Sequence, residues 1–189
     1  MNKVAVLVEG YADQTELAGT FKVAGTCTLV RGDNAVVVAD PGMVTDRALI
    51  LEGLGKEGLS PEEVTHVFIS HHHPDHTVNV ALFPNAEVVD YQAVYKGEIW
   101  QYHEGYEGGI HQIAPGINVH LTPGHTEEDA SLVVETDEGI YALTHAWYSG
   151  NRTDDPLAED LTKLEESREK ISGIADFIIP GHGAPFTNL

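Results

Sequence analysis

Residues 70–76 read Ser-His-His-His-Pro-Asp-His and directly follow the apolar run Val67-Phe68-Ile69. Neutral imidazole and carboxylate are, with thiolate, the ligands that divalent zinc prefers. The apolar run is typical of a buried strand, which would hold a ligand-bearing loop rigidly. The stretch therefore predicts a metal enzyme built on an α/β domain.

Three more histidines come at or just after the ends of apolar runs. They are His125 after Leu121-Thr122-Pro123-Gly124, His145 after Ala142-Leu143-Thr144, and His182 after Ile178-Ile179-Pro180-Gly181. A histidine on a stiff turn beside a strand is a well-positioned ligand. Any one of them alone could be a surface or capping residue. Together with the residue 70–76 segment they favour a shared metal site.

The length and pattern of the chain predict one α/β domain over residues 1–189. A chain of 189 residues with 42% hydrophobic residues can bury a substantial core. Apolar runs with the spacing of strands dominate, and helical patterns lie near residues 45–56 and 156–174. Residues 91–110 are aromatic and glycine-rich, and no regular element is predicted there.

The charge and the cysteine content restrict the partners and the compartment. Thirty acidic and ten basic residues give a formal charge of −20, which repels nucleic acid. No apolar run approaches the ~18 residues of a membrane span, so no membrane partner is expected. Cys27 is the single cysteine, which excludes an intrachain disulfide and a zinc–thiolate cluster. We expect an inert Cys27 within a strand and a cytoplasmic protein.

The histidine motifs resemble those of the metallo-β-lactamase superfamily. The resemblance covers nearly the whole chain and rests on four segments in order: Asp40-Pro41-Gly42, Ser70–His76, Pro123–Thr126 and Pro180–Gly183. Residues 122–131 further resemble the subgroup around metallo-β-lactamase domain-containing protein 1. The resemblance implies a four-layer αβ/βα sandwich with its site along the edge of two facing sheets.

The resemblance also implies two metal sites. The first would be built from His71, His73 and His125. The second would use Asp75, His76 and His182. Asp40 would accept a hydrogen bond from the ligand loop and orient it.

His145 departs from the superfamily pattern. The superfamily usually has an aspartate here, whose carboxylate bridges the two metals. A neutral imidazole has one free lone pair and cannot span two ions in that way. Three outcomes are open: His145 binds one metal, the second site is weak and the enzyme is mononuclear, or His145 swings away.

We expect one or two zinc ions, in preference to iron or manganese. Five imidazoles and one carboxylate suit zinc. In the superfamily, di-iron members usually carry a glutamate where this chain has His73, which weakens the iron hypothesis. Zinc lowers the pKa of its bound water to about 7. The expected reaction is therefore attack by zinc-bound hydroxide, with Asp75 as the catalytic residue that holds and orients the nucleophile's proton.

The substrate is predicted only as a class. A small ester, lactone, thioester or amide is expected. The alternative is a metal-binding protein with redox chemistry or without hydrolysis, because His145 replaces the bridging aspartate. Five of the nine Tyr and Trp residues lie between Tyr91 and Tyr106, where they could form an aromatic rim over the pocket, a packed loop or a homodimer contact. Tyr148 is a candidate to reach the reacting oxygen.

Overall fold

The computed structural model describes residues 1–188, which form two main β-sheets, a two-stranded sheet and three α-helices. The first sheet has seven strands, in spatial order β1 (Lys3–Val8), β4 (Cys27–Arg31), β5 (Val36–Ala39), β6 (His66–Phe68), β7 (Glu87–Val89), β8 (Ala93–Lys96) and β9 (Ile99–Tyr102). The second has six: β10 (Ile110–Ala114), β11 (Ile117–Leu121), β12 (Ala130–Thr136), β13 (Gly139–Ser149), β14 (Phe177–His182) and β15 (Phe186–Thr187).

The remaining elements are short or lie outside the two main sheets. A separate hairpin consists of β2 (Tyr11–Gln14) and β3 (Phe21–Ala24). The α-helices are α1 (Ala48–Lys56), α2 (Pro74–Thr77) and α3 (Leu161–Ser172), and 3-10 turns lie at Pro61–Glu63, Val80–Leu82 and Glu104–Glu107. No helix within residues 1–188 is both long enough and apolar enough to cross a membrane.

The two main sheets pack face to face because successive strand residues point to opposite faces. In β5, Val37 points into the core between the sheets, whereas its neighbour Val38 points outward. The core between the sheets includes Phe68 from the first sheet and Leu132 and Leu143 from the second. Strands that are apolar on both faces therefore require a further covering layer on each outer face.

Helices supply these outer layers. Ile50 and Leu54 of α1 pack with Val38 on the outer face of the first sheet. Leu164 and Ile171 of α3 pack against the outer face of the second sheet. The order of layers is helix, sheet, sheet, helix, which confirms the predicted αβ/βα sandwich.

Parallel strand pairs bring the ends of several strands to one edge. Strands β5, β6 and β7 are mutually parallel, and β13 is parallel to β14. The predicted metal ligands and their supporting turn lie in the loops after β5, β6 and β11, within β13 and at the end of β14. Residues 91–110 differ from the prediction, because they form β8, β9 and a 3-10 turn in place of an irregular segment.

Candidate metal centre

The loop that follows β6 is held by Asp40. The main-chain N–H of Ser70 donates to Asp40 Oδ1 at 2.8 Å, and His76 Nδ1 donates to Asp40 Oδ2 at 3.0 Å. One buried carboxylate thus fixes both ends of the ligand loop. The predicted hydrogen bond from the ligand loop to Asp40 is present.

The turn after Asp40 also packs directly on this loop. A Cβ atom at Gly42 would lie 1.5 Å from the carbonyl oxygen of Asp75, so only glycine permits this approach. The side-chain amide of Asn79 donates to the carbonyl of Gly42 at 2.6 Å. The Asp-Pro-Gly turn is therefore a rigid support for Asp75 and His76.

The first donor group consists of His71, His73 and His125, whose ligand atoms all lie within 4.8 Å of one another. His73 Nδ1 lies 2.9 Å from His71 Nε2 and 3.2 Å from His125 Nε2. His125 Nδ1 donates to Asp155 Oδ2 at 2.8 Å, which directs Nε2 inward. Such a hydrogen bond fixes the tautomer and orientation of a metal-binding histidine.

The second donor group consists of Asp75, His76 and His182. Asp75 Oδ2 lies 3.5 Å from His76 Nε2 and 3.7 Å from His182 Nε2. His182 Nδ1 donates to the carbonyl of Ala24 at 2.8 Å, so its Nε2 also faces inward. The structure thus brings together the two predicted sets of three residues.

His145 lies between the two groups. Its ring centroid is 3.9 Å from that of His125, 4.7 Å from that of His71 and 5.3 Å from that of His182. Its Nε2 lies 3.4 Å from His182 Nε2, and the residue is only 2% exposed. The outcome in which His145 swings away is therefore wrong.

Burial favours the neutral form, which binds metals, for several of the inward-facing imidazoles. Burial lowers the pKa of His71 and of His145 well below the usual range, and neighbouring imidazoles lower both further. Burial also lowers the pKa of His182 to about 4. Within residues 1–188, neither His76 Nε2 nor His145 Nδ1 has a hydrogen-bond partner. Buried, unpartnered nitrogen lone pairs that converge with a carboxylate fit a divalent metal.

Two supporting carboxylates were missed by sequence reasoning. Asp155 accepts from His125, and Asp129 Oδ1 lies 3.3 Å from His71 Nδ1. Asp129 Oδ2 also accepts from the main-chain N–H of Thr126 at 2.8 Å, which stiffens the turn that carries His125. Asp155 is one of thirty acidic residues and has no local motif to distinguish it, whereas Asp129 lay within the segment 122–131 that carried the finer resemblance.

His72 is directed away from the other ring nitrogens and contacts two carboxylates. Its Nδ1 donates to Glu128 Oε1 at 2.8 Å, and its Nε2 lies 3.2 Å from Asp90 Oδ2. The hydrogen bond to Asp90 raises the pKa of His72 to about 9. Both ring nitrogens of His72 lie against carboxylates, and His72 belongs to neither donor group.

A cavity of about 350 Å³ opens onto the donor groups. It is lined by ligand candidates from both groups and by Val23, Met43, Pro74, Tyr148 and Leu157. Among the residues that the structure describes, none lining this cavity is lysine or arginine, and none belongs to the five aromatic residues between Tyr91 and Tyr106. The prediction that these five form a rim over the pocket is wrong. Three of them line a different cavity, on the far side of His72.

The family model of the metallo-β-lactamase superfamily matches residues 21–183, a span that includes every donor described above. The chain belongs to the metallo-β-lactamase superfamily. Within this superfamily it is 35% identical to metallo-beta-lactamase domain-containing protein 1 of Xenopus laevis, over 98% of this chain and 81% of the relative. This similarity confirms the finer resemblance to that subgroup.

Hydrolases of the superfamily are also similar to this chain. An N-acyl homoserine lactonase of Bacillus cereus is 30% identical over 53% of this chain and 45% of the relative. A solved N-acyl homoserine lactone hydrolase, with N-hexanoyl-L-homoserine at its catalytic metal centre, matches with a TM-score of 0.68 at 19% identity, over 96% of this chain and 92% of that one. The dizinc lactonase AidC matches with a TM-score of 0.61 at 15% identity, over 86% and 73% of the two chains.

Proposed function

We propose that this protein is a zinc-dependent hydrolase of small, uncharged esters, lactones, thioesters or amides. The observation that carries the proposal is the convergence of two donor groups, each of three residues, at one cavity whose other walls are apolar. The superfamily and its hydrolase relatives support the reaction class.

His71, His73 and His125 would hold one ion, and Asp75, His76 and His182 would hold a second. When bound, zinc acts as a Lewis acid, which activates water near pH 7 and polarises a carbonyl oxygen. The all-nitrogen first group and the mixed second group both suit zinc better than a hard cation such as magnesium. The dizinc lactonase among the structural neighbours is in keeping with two ions.

Two further groups of the cavity can act on the reacting atoms. Asp75 is partly exposed to the cavity, and its carboxylate can accept and orient the proton of the attacking water. The Tyr148 ring lies 5.0 Å from that of His182 on the same cavity. Burial raises the pKa of Tyr148, so its hydroxyl stays protonated and can donate to the carbonyl oxygen of the substrate.

The walls of the cavity favour an uncharged substrate with an apolar group. Val23, Met43 and Leu157 provide contact surface for such a group. The absence of lysine and arginine among the described lining residues, together with the formal charge of −20, disfavours phosphoesters and other anions. Lactones fit these walls, and the names of the lactonase relatives point to the same class.

The test combines metal analysis with a substrate panel on one preparation. Protein purified without added metal should contain one or two zinc ions per chain and should hydrolyse at least one neutral ester, lactone, thioester or amide. Asp75→Asn should lower kcat by at least about a hundredfold, whereas the exposed Asp137→Asn should not change it. Full metal loading without turnover on any substrate would instead support a non-hydrolytic metal-binding protein, and iron would redirect the search towards redox chemistry.

A further inference from the structure

The outer strand of the first sheet is apolar and open. All four residues of β9 are exposed, with Ile99 and Trp100 each 64% and Tyr102 63% exposed. In the described part of the chain, β9 pairs with β8 and with no other strand. Natural edge strands are commonly protected by charged residues, proline or a bulge. The sequence Ile-Trp-Gln-Tyr has neither a charge nor proline, and its register with β8 is unbroken.

The free hydrogen-bonding groups of β9 can be assigned by position. Main-chain groups alternate between the two sides of a strand. His103 N donates inward to Gln92 O at 3.2 Å, so Gln101 also faces β8. The N–H and C=O groups of Trp100 and Tyr102 therefore point away from the sheet.

We propose that this chain forms a two-fold homodimer in which β9 pairs antiparallel with β9 of a second copy. The register in which positions 100 and 102 pair with each other uses the free groups of both positions on each copy. Trp100 would lie opposite Tyr102 of the second copy, and this pair would occur twice around the axis. Gln101 would lie opposite its own counterpart. Aromatic cross-strand pairs of this kind stabilise a sheet, and the two seven-stranded sheets would become continuous.

The size of the exposed surface fits a weak specific dimer. Tyr106, 45% exposed, stacks on Tyr102 with ring centroids 5.7 Å apart and extends the apolar surface. A large aromatic side chain buries ~150–250 Å² when it is fully covered. The side chains of Ile99, Trp100, Tyr102 and Tyr106, which are already partly covered, would together bury on the order of 500 Å² per copy. The total of roughly 1,000 Å² is at the lower end of specific interfaces.

The charge of the chain limits where a second copy can pair. At a formal charge of −20, two copies repel each other wherever carboxylates would meet. The four residues of β9 are uncharged, and the nearest carboxylates are those of Glu98 and Glu104, which flank the strand and would face each other across the axis. A basic protein partner would bind where the surface is acidic, and the uncharged strand β9 offers no such charge. Screening by salt should therefore strengthen the dimer.

A cysteine at position 101 tests the register. Residues opposite each other in a non-hydrogen-bonded antiparallel pair have Cα atoms about 4.5 Å apart, within the range of a disulfide. Cys27 is 0% exposed, so the introduced thiol is the one that can react. Under mild oxidation, Gln101→Cys should form a dimer of twice 20.5 kDa at least about tenfold faster than Gln112→Cys, which lies exposed on the edge strand β10. Equal rates, or faster crosslinking of Gln112→Cys, would overturn the proposal.

A reversible measurement removes dependence on the crosslink. In sedimentation experiments on the wild-type chain, the mass should rise with concentration towards twice 20.5 kDa, and more steeply as salt is added. Gln101→Lys places two like charges opposite each other at the axis and should weaken association at least about tenfold. Gln112→Lys, the same substitution on the other edge, should not. A wild-type chain that stays monomeric up to about 0.5 mM would contradict the homodimer. Binding of an added peptide to β9 of such a monomer would not rescue it.

Discussion

Gly181 faces the ring of His145 so closely that a Cβ atom at Gly181 would lie 2.2 Å from Cδ2 of His145. The ring cannot retreat easily, because it is 2% exposed and lies against His125. The Pro-Gly-His turn at the end of β14 thus does two things. It presents His182, and it leaves room for the imidazole that replaces the usual aspartate.

Gly181→Ala should therefore displace His145 and destabilise the protein. Overpacking in a rigid interior typically costs about 1–3 kcal/mol. Urea unfolding of the metal-free protein measures this cost apart from any change in metal binding. Gly55→Ala is the matched control, because Gly55 lies in α1 and a Cβ atom there would meet nothing within 4 Å, so alanine should stabilise the helix by about 0.5–1 kcal/mol. Equal effects of the two variants would show that the contact at Gly181 relaxes freely.

Asp155→Asn should weaken metal binding without removing a ligand. The carboxylate of Asp155 holds Nδ1 of His125, and loss of such a partner typically costs 10–100-fold in metal affinity. Competition with a zinc-binding dye gives the affinity. The neighbouring Asp154→Asn is a suitable control, because Asp154 is exposed and pairs with Arg152 at the surface. An unchanged zinc affinity in Asp155→Asn would argue against the proposed first site.

Substitution of adjacent histidines should separate a ligand from a bystander. His73→Ala removes the nitrogen that lies nearest to both His71 and His125, so the zinc content should fall by about one ion per chain. His72→Gln should leave the zinc content unchanged, because His72 is bonded to Asp90 and Glu128. Elemental analysis of both variants, prepared in parallel, provides the measurement. A loss of zinc in His72→Gln alone would reverse the assignment.

The histidine pair away from the metal centre should contribute to acid sensitivity. His111 stacks on His103 with ring centroids 4.2 Å apart, and burial, followed by His103 and His66, lowers the pKa of His111. A histidine with a lowered folded-state pKa is neutral in the folded protein, while the unfolded chain takes up a proton below about 6.5. Its contribution to stability is thus complete above that pH and declines as the pH falls through the folded-state pKa.

His111→Gln should therefore reduce the loss of unfolding free energy between about pH 7.5 and pH 5.5. The comparison uses denaturant midpoints of variant and wild type at both pH values, with metal removed. At about pH 7.5 the imidazole is neutral in both the folded and the unfolded chain, so its titration should contribute nothing to the difference in unfolding free energy between variant and wild type. A pH dependence as steep in the variant as in the wild type would contradict this origin of the acid sensitivity.

Local pattern was sufficient for the strands and for the histidines at their ends, whereas the four-layer architecture and the two sets of ligands were implied by the resemblance to the superfamily. Alternation of apolar residues in segments such as Val36–Ala39 predicts strands, and histidines at strand ends predict where ligands gather. The strands β8 and β9 were not predicted, because Gly97 and the aromatic residues around it also suit an irregular loop. The roles of Asp155 and Gly181 were not accessible either. They depend on approaches between segments that are 30 or more residues apart in the chain.

The position of His145 also could not be derived from the sequence. Its chemistry could be deduced from the residue type, but whether the ring points into the centre depends on the packing around β13 and β14. Thr144 and Pro180 are paired in the register of these strands, and the register then shifts before Ser149 pairs with His182. This irregularity lies beside His145, where no local pattern in the sequence indicates a break in the ladder.

The donor groups draw on both halves of the chain. The loop of residues 71–76 follows a strand of the first sheet, whereas His125 and His182 come from the second. An ion in either place would act as a removable crosslink between the sheets, because it binds the folded arrangement and not the dispersed ligands of the unfolded chain. Metal supply would then set the lifetime of the protein as well as its activity. In a cell short of zinc the two sheets would separate more readily along the edge that carries the donor groups.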